Sequence, residues 1–308
     1  MISAKHRSFV LVIIFCSLLT LPLKGNDFES SSRQFGFAES LFAEREYFRA
    51  ITEYKRFLFH YPQNKLLCEK SAFRIGECYF KAGRWKETVS EFSRFIDNYP
   101  QSALHDAGQY FIGLSQIQLK RYDDALSTLN GLTKDVSSHY YEKAYYHIGM
   151  IGIEERQWQA AKDAFSKISK DSALFPSSDT ISAGLDHAHE IPQKEPLIAG
   201  ALAAVLPGAG HLYAERPKDA VVSLLLNGSF IWAAAELFDH KHYGAAAIFA
   251  FFELGWYGGN IYSAVNSAHK YNEKAQDKFI ENLKESSRLS YYFEPVSRAS
   301  YVTLSIKF

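Results

Sequence analysis

Ile75-Gly-Glu-Cys-Tyr-Phe-Lys-Ala-Gly-Arg-Trp85-Lys-Glu-Thr88-Val-Ser-Glu-Phe92 holds the pattern from which the fold follows. Gly76 sits in an apolar helical pattern, and Trp85 follows nine residues later. A second amphipathic run then begins, with Thr88 at a close-contact position and Phe92 four residues on. The same spacing recurs as Gly113, Tyr122, Ala125 and Leu129, again as Gly149, Trp158, Ala161 and Phe165, and earlier as Ala38, Tyr47, Ala50 and Tyr54. Two copies close alike, Phe59-His-Tyr-Pro-Gln63 and Asp97-Asn-Tyr-Pro-Gln101. The physical content is a helical hairpin. A small residue lets the first helix lie close to the second, and large residues fill the space between neighbouring pairs. One pair cannot bury its own apolar face, so about three or more must stack, and four copies make a short superhelix.

At a period of about 34 to 38 residues, the pattern over residues 35–170 resembles the tetratricopeptide repeat. Copy three departs from it, with no closing Tyr-Pro and with Gln116 where an aromatic is usual. The Tyr-Pro-Gln endings resemble the repeats of BamD-like and YbgF-like proteins of the bacterial cell envelope. That resemblance implies an all-α array over 26–170 whose concave groove holds an extended or helical segment of another envelope protein. Tyr110, Tyr140, Tyr141, Tyr145 and Tyr146 fall on predicted first helices, where most tyrosines are packing residues.

The 308 residues leave room for two or three domains, and 47% apolar with 22% charged suits a folded chain with some membrane content. Zero formal net charge and the lack of a Lys/Arg cluster argue against a nucleic-acid partner. Lys5, His6 and Arg7 lead an apolar run over 9–21 stopped by Pro22, the pattern of an export signal over 1–25. An uncleaved anchor is the alternative: Gly25 suits a cleavage site, Leu23 is large for one, and Phe15 before Cys16 does not suit lipidation. Cys68 and Cys78 lie ten residues apart on one predicted helix, about 15 Å, which is too far for a disulfide. They read as small buried side chains. His187 with His189, and His240 with His242, lack Cys or carboxylate partners at ligand spacing, so no metal site is expected. No elbow serine, activated cysteine or carboxylate cluster is present in the sequence, so neither catalysis nor a cofactor is expected.

Residues 171–195 break the helical rhythm and read as a linker or a short capping helix. Hydrophobicity then rises. Residues 197–214 are apolar but broken at Pro207-Gly208, while 220–238 and 243–265 are long enough to cross a bilayer, since nineteen helical residues span about 28 Å. A buried hairpin in a soluble domain would give similar runs, but three of them within seventy residues would need a large soluble shell. Pro207, Gly208, Gly210 and Tyr213 resemble the Pro-Gly-x-Gly-x-x-Tyr opening of small bacterial membrane domains. Gly259-Asn260-Ile261-Tyr262, followed by Ala268-His-Lys-Tyr-Asn272, resembles their closing motif. The resemblance implies a helical membrane domain, placed here at 196–287, and brings no reaction with it. In the tail, 288–308, residues 301–308 alternate and 289–296 could pair with them as a short β-hairpin. The terminal Phe308 is similar to the end of outer-membrane barrel strands, which keeps an outer-membrane association open.

If the two long runs form an antiparallel pair, residues whose numbers sum to about 481 lie at equal depth. Asn227 then faces Glu253, and Ser223 faces Tyr257. Glu253, Tyr257 and Asn260 share one stripe at i, i+4 and i+7. A charged carboxylate at mid-bilayer costs about 2.5 to 3.5 kcal/mol, so Glu253 is expected to be protonated or hydrogen-bonded to Asn227. Such a stripe serves as polar glue, or as a proton or ion path. Gly255, Gly259 and Ser263 form a small-residue row that admits a neighbouring helix, either the broken 197–214 segment or a second copy of the chain. Residues 267–289 read as a charged amphipathic helix lying along a surface. The combined expectation is a non-enzymatic scaffold in the inner membrane with periplasmic repeats, serving envelope assembly or maintenance. A transporter or channel component using the Glu253 stripe and an outer-membrane assembly factor are the alternatives.

Overall fold

A computed structural model of the chain describes residues 24–287 and the short segments 290–293 and 302–305. The expected export signal up to Leu23 lies outside the described residues. Thirteen α-helices are found among the described residues, and the chain divides into two compact units, Met1–Ile148 and Gly149–Phe308.

The first unit holds α1 (Lys24–Ala43), α2 (Tyr47–His60), α3 (Lys65–Lys81), α4 (Trp85–Asn98), α5 (His105–Gln118), α6 (Tyr122–Leu132) and the start of α7 (Tyr141–Glu154). The aromatic of each repeat is the first residue of its second helix: Tyr47, Trp85 and Tyr122. A single left-handed residue stands two places before it, Arg45, Gly83 or Lys120, with φ of 64°, 69° and 56°. Around that residue the hydrogen bonds repeat. Arg45 N–H donates to Phe42 O at 3.0 Å and Glu46 N–H to Leu41 O at 2.9 Å, with equivalent bonds from Gly83 and Arg84 and from Lys120 and Arg121. This is the Schellman arrangement, which satisfies helix-end carbonyls and reverses the chain within three residues. Tyr61 and Tyr99 cap the second helices, and the prolines that follow them cannot extend a helix.

The repeat glycines are sites of close approach. A Cβ on Gly76 would lie 2.7 Å from the ring of Phe92, and one on Gly113 2.8 Å from Leu129. Phe92 is fully buried, stacks on Phe111 with centroids 5.0 Å apart, and meets the edge of Phe73 at 5.1 Å. Each such ring contributes about 1.5 to 3 kcal/mol through burial. Ala50, Thr88 and Ala125 are completely buried. In copy three, Gln116 is buried and accepts a hydrogen bond from Thr128 Oγ1 at 2.9 Å, so the missing aromatic is replaced by a satisfied polar pair. Arg74 joins the first two hairpins: its guanidinium donates to both oxygens of Glu39 at 2.9 Å and to Glu77 at 2.7 Å, while Tyr54 donates to Glu39. Cys68 and Cys78 both lie on α3, buried and unpaired.

The second unit holds the rest of α7, then α8 (Trp158–Phe165), α9 (Phe175–Leu185), a 3₁₀ turn (Asp186–Glu190), α10 (Pro196–Val205), α11 (Ala209–Tyr213), α12 (Pro217–Asp239) and α13 (Tyr243–Ser287). The fourth hairpin keeps the rules of the first three. Gly149 lies under Phe165, with a Cβ–ring separation of 2.6 Å, Ala161 is fully buried, and Arg156 takes the left-handed turn position at φ 61°. Glu215 and Lys241, at φ 59° and 62°, make the same turn before α12 and α13.

Of the two readings of 171–195, the structure has the short helix: α9 packs so closely on α13 that a Cβ on Gly184 would lie 2.3 Å from Leu283. One expectation changes. Residues 267–287 do not lie free along a surface; they continue α13 as one 45-residue helix, about 67 Å long. Their apolar stripe is taken up by the fourth hairpin and α9: Phe279 meets Trp158 at 5.8 Å, and Ile280 and Leu283 are buried. Arg156 pairs with Asp277 at 2.9 Å, and Lys284 pairs with Glu154. A helix that can bury this stripe against protein has no need of a surface.

Beyond Ser287 the backbone segments Ser290–Phe293 and Val302–Ser305 pair antiparallel, with Ser290 opposite Ser305 and Phe293 opposite Val302. The rest of the expected hairpin lies outside the described residues.

Candidate functional site

The motif glycines of the second unit bring α10, α11, α12 and α13 into close contact. A Cβ on Gly210 would lie 2.0 Å from the carbonyl oxygen of Ala199 and 2.7 Å from Ala264. Gly208 has φ 88°, and a Cβ there would meet Ala220 O at 2.3 Å. At both positions only glycine fits, at Gly208 for conformation as well as space. Pro207 sits in the turn that this geometry permits. Polar side chains then tie α10 to α13: Tyr257 donates to Ala204 O at 3.2 Å, and Asn260 Nδ2 to Ala203 O at 3.4 Å. Tyr213 accepts from Glu195 N–H at 3.0 Å. Asn272 brackets the Lys194 backbone, accepting from its N–H at 2.7 Å and donating to its carbonyl at 2.9 Å. The Lys194 ammonium lies over the rings of Tyr213 and Tyr271, at 5.2 and 5.1 Å, and pairs with Glu215 at 3.1 Å. The opening and closing motifs therefore meet around one lysine. Lys194 escaped the sequence reading because it precedes both motifs.

Between α12 and α13 runs a groove of about 960 Å³. Its floor includes Ser223, Asn227, Asn260, His211 and Ser263, and its walls include Leu226, Phe252 and Trp256. Ser223 Oγ bonds to Asn260 Oδ1, Asn227 Nδ2 donates to the Ser223 carbonyl at 2.7 Å, and His211 Nε2 lies 3.0 Å from Ser263 Oγ. Ser223, Asn227 and Asn260 are thus brought together. Glu253 is not joined to them. It is buried, but among the described residues neither of its carboxyl oxygens has a partner, and the expected bond to Asn227 is not made. The reason is register. Ser223 opposite Asn260 gives a sum of 483, and Phe230 lies between Phe249 and Trp256, at 5.8 and 6.3 Å. The shift of about two residues, roughly 3 Å of rise, sets Glu253 level with Phe230 rather than Asn227. Gly255 and Gly259 face open space, with no other element among the described residues within 4 Å of a Cβ, and Tyr262 is exposed. His211 and Arg216 were missed by the sequence reading; His211 lies inside the Pro-Gly-x-Gly motif, between residues chosen for their smallness.

In the repeats, the tyrosines divide. Tyr110 and Tyr146 are buried, and the Tyr110 hydroxyl meets His147 Nε2 at 2.9 Å, so these two build the core and do not line a groove. Burial and the nearby Lys143 charge push the His147 imidazolium down to about 3. Lys143, 2.6 Å from His139 Nε2 and over the Tyr140 ring, is itself pulled down to about 8 by desolvation.

Stacked hairpins, each with a small residue under a large one and a left-handed turn between its helices, define a tetratricopeptide-type helical-repeat protein, a class that binds other proteins. Residues 28–191 match the model of the family described as T7SS, ESX-1 secretion system protein EccA1, N-terminal domain. The chain belongs to that family. A tetratricopeptide repeat protein from Parabacteroides merdae is similar in structure at 14% identity and a TM-score of 0.44, over 83% of this chain and 99% of that one. No curated protein matches the chain.

Proposed function

We propose that the protein is a membrane-anchored scaffold: the repeats bind a segment of another protein, and α10, α12 and the first half of α13 hold the chain in a lipid bilayer. The observation that carries the anchor is an exposed apolar surface. Leu197, Val205, Leu225, Trp232, Phe251 and Leu254 are between 64% and 84% exposed. Helix α12 has a mean hydropathy of 1.6 over its most apolar window, of which 6% is buried. Its 23 residues rise about 34 Å, enough to cross a hydrocarbon core of about 30 Å. Monomeric soluble proteins rarely leave so much contiguous apolar surface to water. The second half of α13 then couples the anchor to the fourth hairpin through Trp158, Arg156 and Glu154.

The family's description makes a component of a secretion machinery the first partner class to examine. The Tyr-Pro-Gln endings favour a site in the cell envelope, with the repeats on the periplasmic face of the inner membrane. Two measurements test the reading on the full chain in its host. Membranes washed with alkaline carbonate should retain the protein, and its release would refute the anchor. Photo-crosslinking residues at Phe48 and Phe59, exposed on the repeats at 57% and 80%, should capture a discrete partner protein. Capture of none from intact cells would refute the scaffold.

A further inference from the structure

The groove between α12 and α13 is graded in polarity along its length. One end carries Arg216 and Asp219, which pair with each other, beside His211 and Ser263. The other end is walled by Leu226, Phe251, Phe252 and Trp256. Two side chains lining it are more than nine-tenths buried and each keeps an atom with no partner among the described residues: Asn227 Oδ1, in a residue 4% exposed, and His211 Nδ1, in one 3% exposed. Both atoms are closed off from the open groove, so they give it a polar underside and are not themselves contacts for an occupant. Gly255 and Gly259 leave the wall between the ends open, as no neighbouring element among the described residues comes within 4 Å of where their Cβ would be.

We infer that this groove is a binding site for one phospholipid with a zwitterionic, amine-bearing headgroup. The Arg216–Asp219 pair offers a cation for the phosphate and an anion for the ammonium, a complement that a purely anionic headgroup would use only by half. The acyl chain lies over Gly255 and Gly259 against Phe252 and Trp256. His211 and Ser263 lie at the headgroup end, while Asn227, level with Trp256, lies beneath the acyl chain. A groove of about 960 Å³ is of the size that takes a headgroup and part of a chain.

The inference rests on the anchoring reading for its source of lipid, and its test is separable from it. The full chain is purified in detergent with photoactivatable phosphatidylethanolamine carrying the reactive group on its acyl chain. Crosslinked peptides should concentrate at 251–256, and unlabelled phosphatidylethanolamine should compete at least fivefold better than phosphatidylglycerol. Filling the groove with Gly255→Leu and Gly259→Leu together should lower labelling at least fivefold while helix content is unchanged. Arg216→Gln should erase the preference between the two lipids and leave Trp256 labelled. Labelling spread over α12 and α13 without regard to these substitutions would overturn the site. So would disulfide-linked dimers of Gly259→Cys at the expense of lipid labelling, since a second copy would then occupy the groove. Release from membranes by carbonate contradicts the anchor alone, because lipid retention in detergent is read independently of it.

Discussion

Replacing Gly76 with alanine tests the packing rule on which the repeats rest. The new Cβ would lie 2.7, 2.8 and 2.9 Å from Cζ, Cε1 and Cε2 of Phe92, inside van der Waals contact. The ring cannot retreat, because Phe111 is stacked 5.0 Å behind it and Phe73 and Phe95 are buried alongside. Overpacking of this kind costs about 1 to 3 kcal/mol. Against it stands the helix propensity of alanine over glycine, about 1 kcal/mol. The expected net effect is a loss of up to about 2 kcal/mol, a factor of up to about 30 in the opening equilibrium. Hydrogen exchange of the α3 and α4 amides in the full chain reads it directly. Gly108→Ala is the control. Its Cβ would meet Ile96 and Phe92 at 3.5 to 3.6 Å, an ordinary contact, so propensity should win and exchange should slow by up to about 1 kcal/mol. Shortening the ring with Phe92→Leu should relieve part of the Gly76→Ala penalty in a double-mutant cycle. Gly76→Ala and Gly108→Ala shifting stability in the same direction would contradict the close-packing role of Gly76.

Three further outcomes follow from the geometry. Gly83→Ala should destabilise by about 1 kcal/mol through its φ of 69° alone, since the nearest side-chain atom is 3.8 Å away, whereas Lys120→Gly, at φ 56°, should be neutral or stabilise by up to about 1 kcal/mol in thermal unfolding. His147 titrates lower in the folded state than in the unfolded one, so its contribution to stability is whole above about pH 6.5 and is lost as pH falls toward about 3; the pH dependence of the melting temperature should flatten over that window in His147→Gln. Gly210→Ala should separate α10 from α11 and α13, because its Cβ would sit 2.0 Å from the Ala199 carbonyl, and proteolysis between residues 192 and 216 should quicken, while Gly259→Ala should be silent in that assay.

The hairpins were legible because one spacing rule recurs: small residue, aromatic nine places on, large residue sixteen places on. In the structure the first and last of these touch, and the aromatic begins the second helix. The turn was less legible. Only Gly83 advertises a left-handed residue; Arg45, Lys120 and Arg156 adopt the same conformation without a sequence cue, held by the hydrogen bonds around them. The glycines of the Pro-Gly-x-Gly motif were visible as a motif, and their physical role, contact with the Ala199 and Ala220 carbonyls, was not. Helix α13 was divided in the reading because hydrophobicity falls after Val265, a change of surroundings and not of backbone. The Glu253–Asn227 bond failed on a shift of about two residues in register, which the length of the Asp239–His242 turn alone does not determine.

Spin labels report whether the apolar faces of α10, α12 and the first half of α13 lie in lipid, as proposed above. In a chain whose three cysteines are replaced by alanine, single labels at Leu225, Trp232 and Leu254, exposed at 64%, 69% and 75%, are reconstituted into vesicles. A lipid-facing surface gives high accessibility to oxygen and low accessibility to a polar nickel reagent at all three, with the opposite at Lys274 on the second half of α13. Nickel accessibility at Leu225 and Leu254 equal to that at Lys274 would contradict it.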